Sequence, residues 1–164
     1  MQRGRFRWMS KTTTSQPASL RQRALDCLAR REYSRQELHH KLQPYADGGN
    51  DINALLDDFT VRGWLSDERF SEQVVHARKG RYGSLKVAHE LREKGVDEAL
   101  VDRVIATLAQ DEEADARAVW QRKFGELPHN REQWAKQARF LQSRGFGFDA
   151  IKRVLRGAAD DTEC

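Results

Sequence analysis

The side chains with chemistry to offer in this sequence are cations. Arg78, Lys79, Arg81 and Lys86 crowd around Tyr82, and a second group, Arg139, Arg144, Lys152, Arg153 and Arg156, follows towards the C-terminus. Lys152 and Arg156 are four apart, so on a helix they share a face. Guanidinium and ammonium groups with few acids nearby bind phosphates or an acidic protein face, with an affinity that falls as salt rises. Each group also has a plainer reading: cations close to a helix C-terminus suit the local dipole, and a charged stripe is commonly a solvated face. Tyr82 is placed either to stack on a base or to plug a seam between helices. Tyr33 stands at the matching place in an earlier repeat, which favours the plug.

Catalytic chemistry lacks its parts. The five histidines, His39, His40, His76, His89 and His129, are scattered, and the adjacent pair would point about 100° apart on a helix. There is no His-Glu-x-x-His, no Cys-x-x-Cys and no phosphate-cradling Gly-x-x-x-x-Gly-Lys-Ser/Thr. Cys27 has no evident orienting base. Gly80, Gly83, Gly95 and Gly145 fall at helix ends, where glycine is a stop signal. The expectation is a binding protein rather than an enzyme, with no cofactor and no metal.

The elements that must carry these cations are helical. A chain of 164 residues, 33% charged and 38% hydrophobic, suits a short string of small repeats with thin cores. Leu20, Ala24, Cys27 and Leu28 form a stripe at helical spacing. Ser34-Arg35-Gln36-Glu37 reads as a capping box opening a second helix with Leu38 and Leu42, which Pro44 stops. Asp51 opens a third helix with Ile52, Leu55, Leu56 and Phe59, and Gly63 ends it. The cycle then recurs: Ser66-Asp67-Glu68 opens a helix with Phe70, Val74 and Val75; Tyr82-Gly83-Ser84 breaks and caps one with Leu85, Ala88 and Leu91; Asp97 caps one with Leu100, Val101, Val104, Ile105 and Leu108. In a third cycle Ala116, Val119 and Trp120 face inward, then Trp134, Ala138 and Leu141, then Ile151, Val154 and Leu155. Leu91-x-x-Lys94-Gly95-Val96 matches Leu141-x-x-Arg144-Gly145-Phe146 in spacing, and Val74 precedes Tyr82 by the interval that separates Leu25 from Tyr33. A period of about 45 residues is that of a helical solenoid. The fold class expected is all-α: three tandem three-helix repeats at 19–65, 66–110 and 111–157, forming an elongated, curved array.

The ends differ from this body. Residues 1–18 hold Arg3, Arg5, Arg7 and Lys11, no acid and no periodicity, and read as a disordered basic tail. Met9 is an alternative start that would remove the three arginines. Residues 158–164 form an acidic tail with Asp160, Asp161 and Glu163. The net charge of +4 therefore overstates the body, which is only mildly basic, with its excess in the last third. That is weaker than in a dedicated DNA-binding domain. No stretch is apolar enough to cross a bilayer, and no apolar core follows the N-terminal arginines as a secretory signal requires. Cys27 and Cys164 suit free thiols in a reducing cytosol, so a cytoplasmic location is expected.

Taken in order, Gly63-Trp64-Leu65-Ser66-Asp67-Glu68-Arg69-Phe70, then Arg78-Lys79-Gly80-Arg81-Tyr82-Gly83, then Leu91-Arg92-Glu93-Lys94-Gly95-Val96 resemble the central signature of the RecX regulatory proteins. Ser34-Arg35-Gln36-Glu37-Leu38 with Lys41-Leu42 is similar to that family's first repeat. The likeness spans roughly Leu20 to Leu155, and its specificity lies in the order and repetition of the motifs. It departs at Ser84, where many relatives have proline and where serine can still cap a helix. The N-terminal extension has no counterpart to map onto. The resemblance makes Gly63, Trp64, Leu65, Asp67, Phe70, Tyr82, Gly83, Leu91, Lys94 and Gly95 signature positions, mainly structural. It implies a monomer that binds the RecA recombinase filament on single-stranded DNA and inhibits its ATPase, strand-exchange and co-protease activities, with consequences for DNA repair and the SOS response. The rival readings are a direct DNA-binding protein of helix-turn-helix-like triplets and a neutral helical scaffold.

Overall fold

A computed structural model describes residues 18–48 and 51–156. The N-terminal arginines, Trp8, Met9, the acidic tail and Cys164 lie outside the described residues. Within these, helices follow one another without a strand: α1 (Leu20–Leu28), α2 (Arg35–Leu42), α3 (Ile52–Val61), α4 (Asp67–Arg78), α5 (Ser84–Glu93), α6 (Glu98–Ala109), α7 (Glu112–Lys123), α8 (Arg131–Ser143) and α9 (Phe148–Arg156). The boundaries follow from local chemistry. Ser19, Ser34, Asp51, Ser66, Asp97 and Asn130 each accept a backbone N–H of the first turn with their side chains, a contact worth about 1 kcal/mol apiece. Gly63, Gly95 and Gly145 follow α3, α5 and α8 at φ of 72°, 71° and 84°, the left-handed conformation that ends a helix.

Apolar faces then gather by threes. Ala24, Leu38, Leu42, Leu56 and Phe59 are the centre of one cluster, drawn from α1–α3. Phe70, Val74, Val87, Leu91 and Val101 make a second from α4–α6. Ala116, Trp120, Leu141, Phe146, Ile151 and Val154 make a third from α7–α9. This is the all-α repeat array. In the third unit the indole N–H of Trp120 donates to Gln137 Oε1 at 2.7 Å inside the core, so the largest side chain is both buried and satisfied. The matching position on α4 is Val75. With that smaller side chain, Leu100, Val104 and Leu108 stay half-exposed beside it and line an open groove of about 470 Å³.

Among the described residues none of these apolar clusters runs from one unit into the next; polar groups at the helix ends join them. At the first junction Ser34 Oγ donates to the Lys94 carbonyl at 2.6 Å, and the N–H of Arg35 donates to Asp67 Oδ1 at 2.8 Å. At the second, Gly83 N–H donates to the Arg144 carbonyl at 2.9 Å and Leu85 N–H to that of Gly145 at 3.1 Å. Ser84 donates from its N–H and its hydroxyl to Glu112 Oε1, at 3.1 and 2.7 Å. In both, the N-terminus of a middle helix meets the C-terminus of the next unit's middle helix. The first helical residue of the following unit, Asp67 of α4 or Glu112 of α7, supplies a carboxylate to the leading amide. Donors without intrahelical partners thus meet acceptors without them, and the two dipoles run head to tail.

Three expectations need correction. Glu37 does not close a capping box: Ser34 accepts from its N–H, but its own carboxylate is taken by Arg31 and Lys94. Ser84 is not the cap of α5; Gly83 holds that place and Glu112 does the capping from another unit. Leu85 points outward and is 55% exposed, because the backbone contact at this helix end turns its face away from the core.

Glycine is required at the second junction. A Cβ on Gly83 would stand 2.3 Å from the Gly145 carbonyl oxygen, and one on Gly145 would stand 2.6 Å from the Lys86 nitrogen. Gly83→Ala should therefore lower the urea unfolding midpoint, by about 1–3 kcal/mol of stability. Gly48→Ala, where a Cβ meets nothing within 4 Å, should stay within about 0.5 kcal/mol of the parent.

Candidate nucleic-acid interface

The two junctions carry opposite charge arrangements on the same frame. At the first, Tyr33 is buried under Arg31, whose guanidinium carbon lies 3.6 Å from the ring centroid. Glu37, half-buried, binds Arg31 at 3.0 Å and Lys94 at 3.0 Å. Burial works against the charged form of Glu37, but the hydrogen bonds from Arg31 and Lys94 win and hold it below its ordinary value of 4.5. One carboxylate serves two cations there, and Arg31 covers the tyrosine ring.

At the second junction the residues matching Tyr33, Glu37 and Lys94 are Tyr82, Lys86 and Arg144. Three cations now surround one ring: Lys86 Nζ lies 5.4 Å from the Tyr82 centroid, and the guanidinium carbons of Arg144 and Arg78 lie 5.5 and 5.9 Å from it. Arg78 is satisfied by a bidentate contact with Glu90 at 2.8 and 2.9 Å, which pushes the Glu90 carboxyl down and the guanidinium up. Lys86 and Arg144 have no carboxylate within 4.0 Å among the described residues.

Beside them opens a groove of about 380 Å³ between the α4–α5 connection and the α7 and α8 ends, lined by Arg81, Tyr82, Val119, Arg122, Lys123, Phe140 and Arg144. Its walls hold four cations and no acid. Arg122 donates to the Gly80 carbonyl, tying the connection to α7. Phe140 packs edge-on to Phe124 with centroids 5.4 Å apart. Because the Arg144 and Gly145 carbonyls are fixed by the junction, this wall is held by backbone. Half-buried Tyr82 faces the groove and does not plug a seam as Tyr33 does.

Of the cations singled out in the sequence, the structure brings Arg81, Lys86 and Arg144 together around Tyr82, with Arg78 neutralised at the edge. Lys79 lies 3.9 Å from Asp111. Arg139 and Arg156 are exposed, Lys152 Nζ sits 4.5 Å from the ring of Phe148, and Arg153 lies 3.7 Å from Glu113. None of the groove's walls comes from α9, so the Lys152–Arg156 face is a separate surface. Arg122 and Lys123 were missed, since a pair at a helix C-terminus far along the chain from Tyr82 carries no local signal. Among the signature positions, Leu65, Phe70 and Leu91 are core, Asp67 and Gly83 build junctions, and Lys94 pairs with Glu37. Trp64 is 42% exposed, edge-on to Phe59 and beside Arg21.

The wider charge distribution is one-sided. Up to Lys79, the described lysines and arginines lacking a carboxylate within 4.0 Å are Arg23, Arg30 and Lys41. From there on, Arg81, Lys86, Arg122, Lys123, Arg131, Lys136, Arg139, Arg144, Lys152 and Arg156 all lack one. Among the described residues no three metal-ligating side chains are grouped, and no helix is long and apolar enough to cross a membrane.

Three-helix units joined end to end, with cations left unpaired on the last of them, define a helical-repeat protein. Residues 66–105 match the family model for the second three-helix domain of RecX and residues 111–155 that for the third. The regulatory protein RecX of Chromobacterium violaceum is 43% identical over 143 residues, 87% of this chain and 93% of that one. The regulatory protein RecX of Neisseria gonorrhoeae is 36% identical over the same shares. The crystal structure of RecX from Lactobacillus salivarius superposes with a TM-score of 0.73 at 17% identity, covering 84% of this chain and 92% of that one. The chain belongs to the RecX family of regulatory proteins.

The carboxylate at the first junction gives a pH prediction. Glu37 has a lowered folded pKa, so it adds stability above its unfolded pKa of about 4.3, and that contribution is lost as pH falls through the lower folded value. Glu37→Gln should cost about 1 kcal/mol at pH 7. The difference in urea midpoint between parent and variant should shrink steadily below about pH 4.5.

Proposed function

We propose that this protein is a negative regulator of RecA. It binds the RecA filament on single-stranded DNA and inhibits its ATPase, strand-exchange and co-protease activities, thereby modulating DNA repair and the SOS response. Membership of the RecX family supports the partner. The concentration of unpaired cations from Arg81 onward is the observation that supports a phosphate-facing surface. Three units, at 19–65, 66–110 and 111–157, would let a monomer touch several protomers at once. Weak contacts then add through simultaneous engagement, and a bridge across protomers opposes the movements that accompany ATP turnover. The rival reading, a direct DNA-binding protein of helix-turn-helix-like triplets, draws on the same cations. The near-neutral charge of the body weighs against it.

ATP hydrolysis by RecA on single-stranded DNA, with this protein titrated in below the recombinase concentration, tests the proposal. Suppression at substoichiometric amounts is expected; none at excess and low salt would overturn it. Reversing Lys152, Arg153 and Arg156 to glutamate should weaken suppression while leaving helicity by circular dichroism intact. Unchanged suppression would make that α9 face merely solvated.

A further inference from the structure

We propose that the groove at the second junction is a binding site for single-stranded DNA, in which Tyr82 is the platform for one unstacked base and Lys86, Arg144, Arg81, Arg122 and Lys123 hold the flanking phosphates. The inference rests on the reading that this protein meets DNA, and it assigns the place and the form of nucleic acid.

The molecule brings corresponding helix ends together twice. The first gathers a tyrosine, a carboxylate at Glu37 and a cation, Lys94, that donates to the carboxylate. The second has a tyrosine at the same place and the matching cation, Arg144, and it joins the corresponding helix ends by backbone N–H to carbonyl bonds where the first uses the Ser34 hydroxyl, but Lys86 stands where Glu37 stands. Two like charges without a carboxylate then share one ring, an arrangement that disfavours the folded junction. The adjoining wall adds Arg81, Arg122 and Lys123 and again no acid. Packing gives no reason for the reversal, because the carboxylate-paired arrangement is present in the same chain. An anion in the groove supplies the missing charge.

The anion's form follows from the rings. A buried tyrosine offers nothing to a ligand, as Tyr33 illustrates under Arg31. Tyr82 is half-buried and lines the groove, with half-buried Phe140 on the same wall. A base stacks on an aromatic face whatever its identity, provided it is unstacked from its neighbours. A duplex presents phosphates but no free base face. Cations around an open ring therefore select a single strand, without sequence preference, and with strong salt dependence.

The test uses a substitution whose fit the molecule itself demonstrates. Lys86→Glu recreates the Glu37 arrangement opposite Arg144, so its urea midpoint should be no lower than the parent's. Binding of a fluorescein-labelled oligothymidylate, followed by anisotropy in the absence of RecA, should fall about tenfold or more, and the slope of log affinity against log salt should flatten by about 1. Tyr82→Phe should keep the affinity and Tyr82→Leu should lose it about tenfold. A duplex of the same length should compete poorly. Parent-like binding by folded Lys86→Glu, equal loss in Tyr82→Phe and Tyr82→Leu, or equal competition by duplex would each overturn the proposal. Should Lys86→Glu unfold, Lys123→Gln in the same assay decides the point, because that side chain lines the groove, is exposed and, unlike Arg122, ties no other element: parent-like binding would overturn the proposal. RecA ATPase suppression by a parent that fails to bind the oligothymidylate would sink this inference and leave the regulator reading standing; loss of both would sink both.

Discussion

The contact on which this architecture depends is between helix ends. Each unit closes its own small apolar cluster, and what remains to join units is the polar business of helix termini: amides at one end, carbonyls at the other. The chain lets the middle helix of one unit abut the middle helix of the next, with Asp67 or Glu112 completing the donors left over. Such contacts are directional and short. They need Gly83 and Gly145 because two backbones must come within hydrogen-bonding distance, where a Cβ cannot fit. A continuous core would tolerate sliding; a pair of backbone hydrogen bonds fixes one relative placement.

Separating the junction from the core also frees side chains at the junction. Tyr33 with Glu37 and Tyr82 with Lys86 occupy equivalent sites, yet neither exchange of charge disturbs an apolar cluster. The fold can therefore carry a carboxylate-paired joint and an unpaired cationic joint on one frame. The same independence appears inside the units: Trp120 seals α9 against α7, whereas Val75 leaves α6 half-covered beside α4, and both units keep their helices.

Much of this was legible in the residues, for identifiable reasons. Helix positions followed from the period of the apolar residues and from Ser34, Asp51, Asp97 and the left-handed glycines, all local signals. The equivalence of Lys94-Gly95 and Arg144-Gly145 followed from spacing. What escaped were effects that join residues distant in sequence. Nothing near Ser84 announces Glu112 as its partner, and nothing near Arg122 announces Tyr82. Glu37 obeyed the local capping pattern, yet a cation from another unit offered its carboxylate a stronger partner than a backbone amide. Leu85 failed for a related reason: the pattern marked it as apolar, while the junction settled which way the helix faces.

A repeat protein held by hydrogen-bonded joints has consequences for how it meets an extended partner. Stability in such arrays is a sum of unit terms and nearest-neighbour joint terms, so each joint can be tuned without altering the units on either side. The first joint is stabilised by a carboxylate that serves two cations. The second lacks that carboxylate and rests on backbone contacts, so Lys86 and Arg144 keep charges that no carboxylate of the described residues pairs. The joint is then stabilised by whatever anion it binds, in the way any ligand stabilises the state it binds. Placement of units two and three relative to each other and occupancy of the groove become linked quantities, and the array is held most firmly when it is engaged.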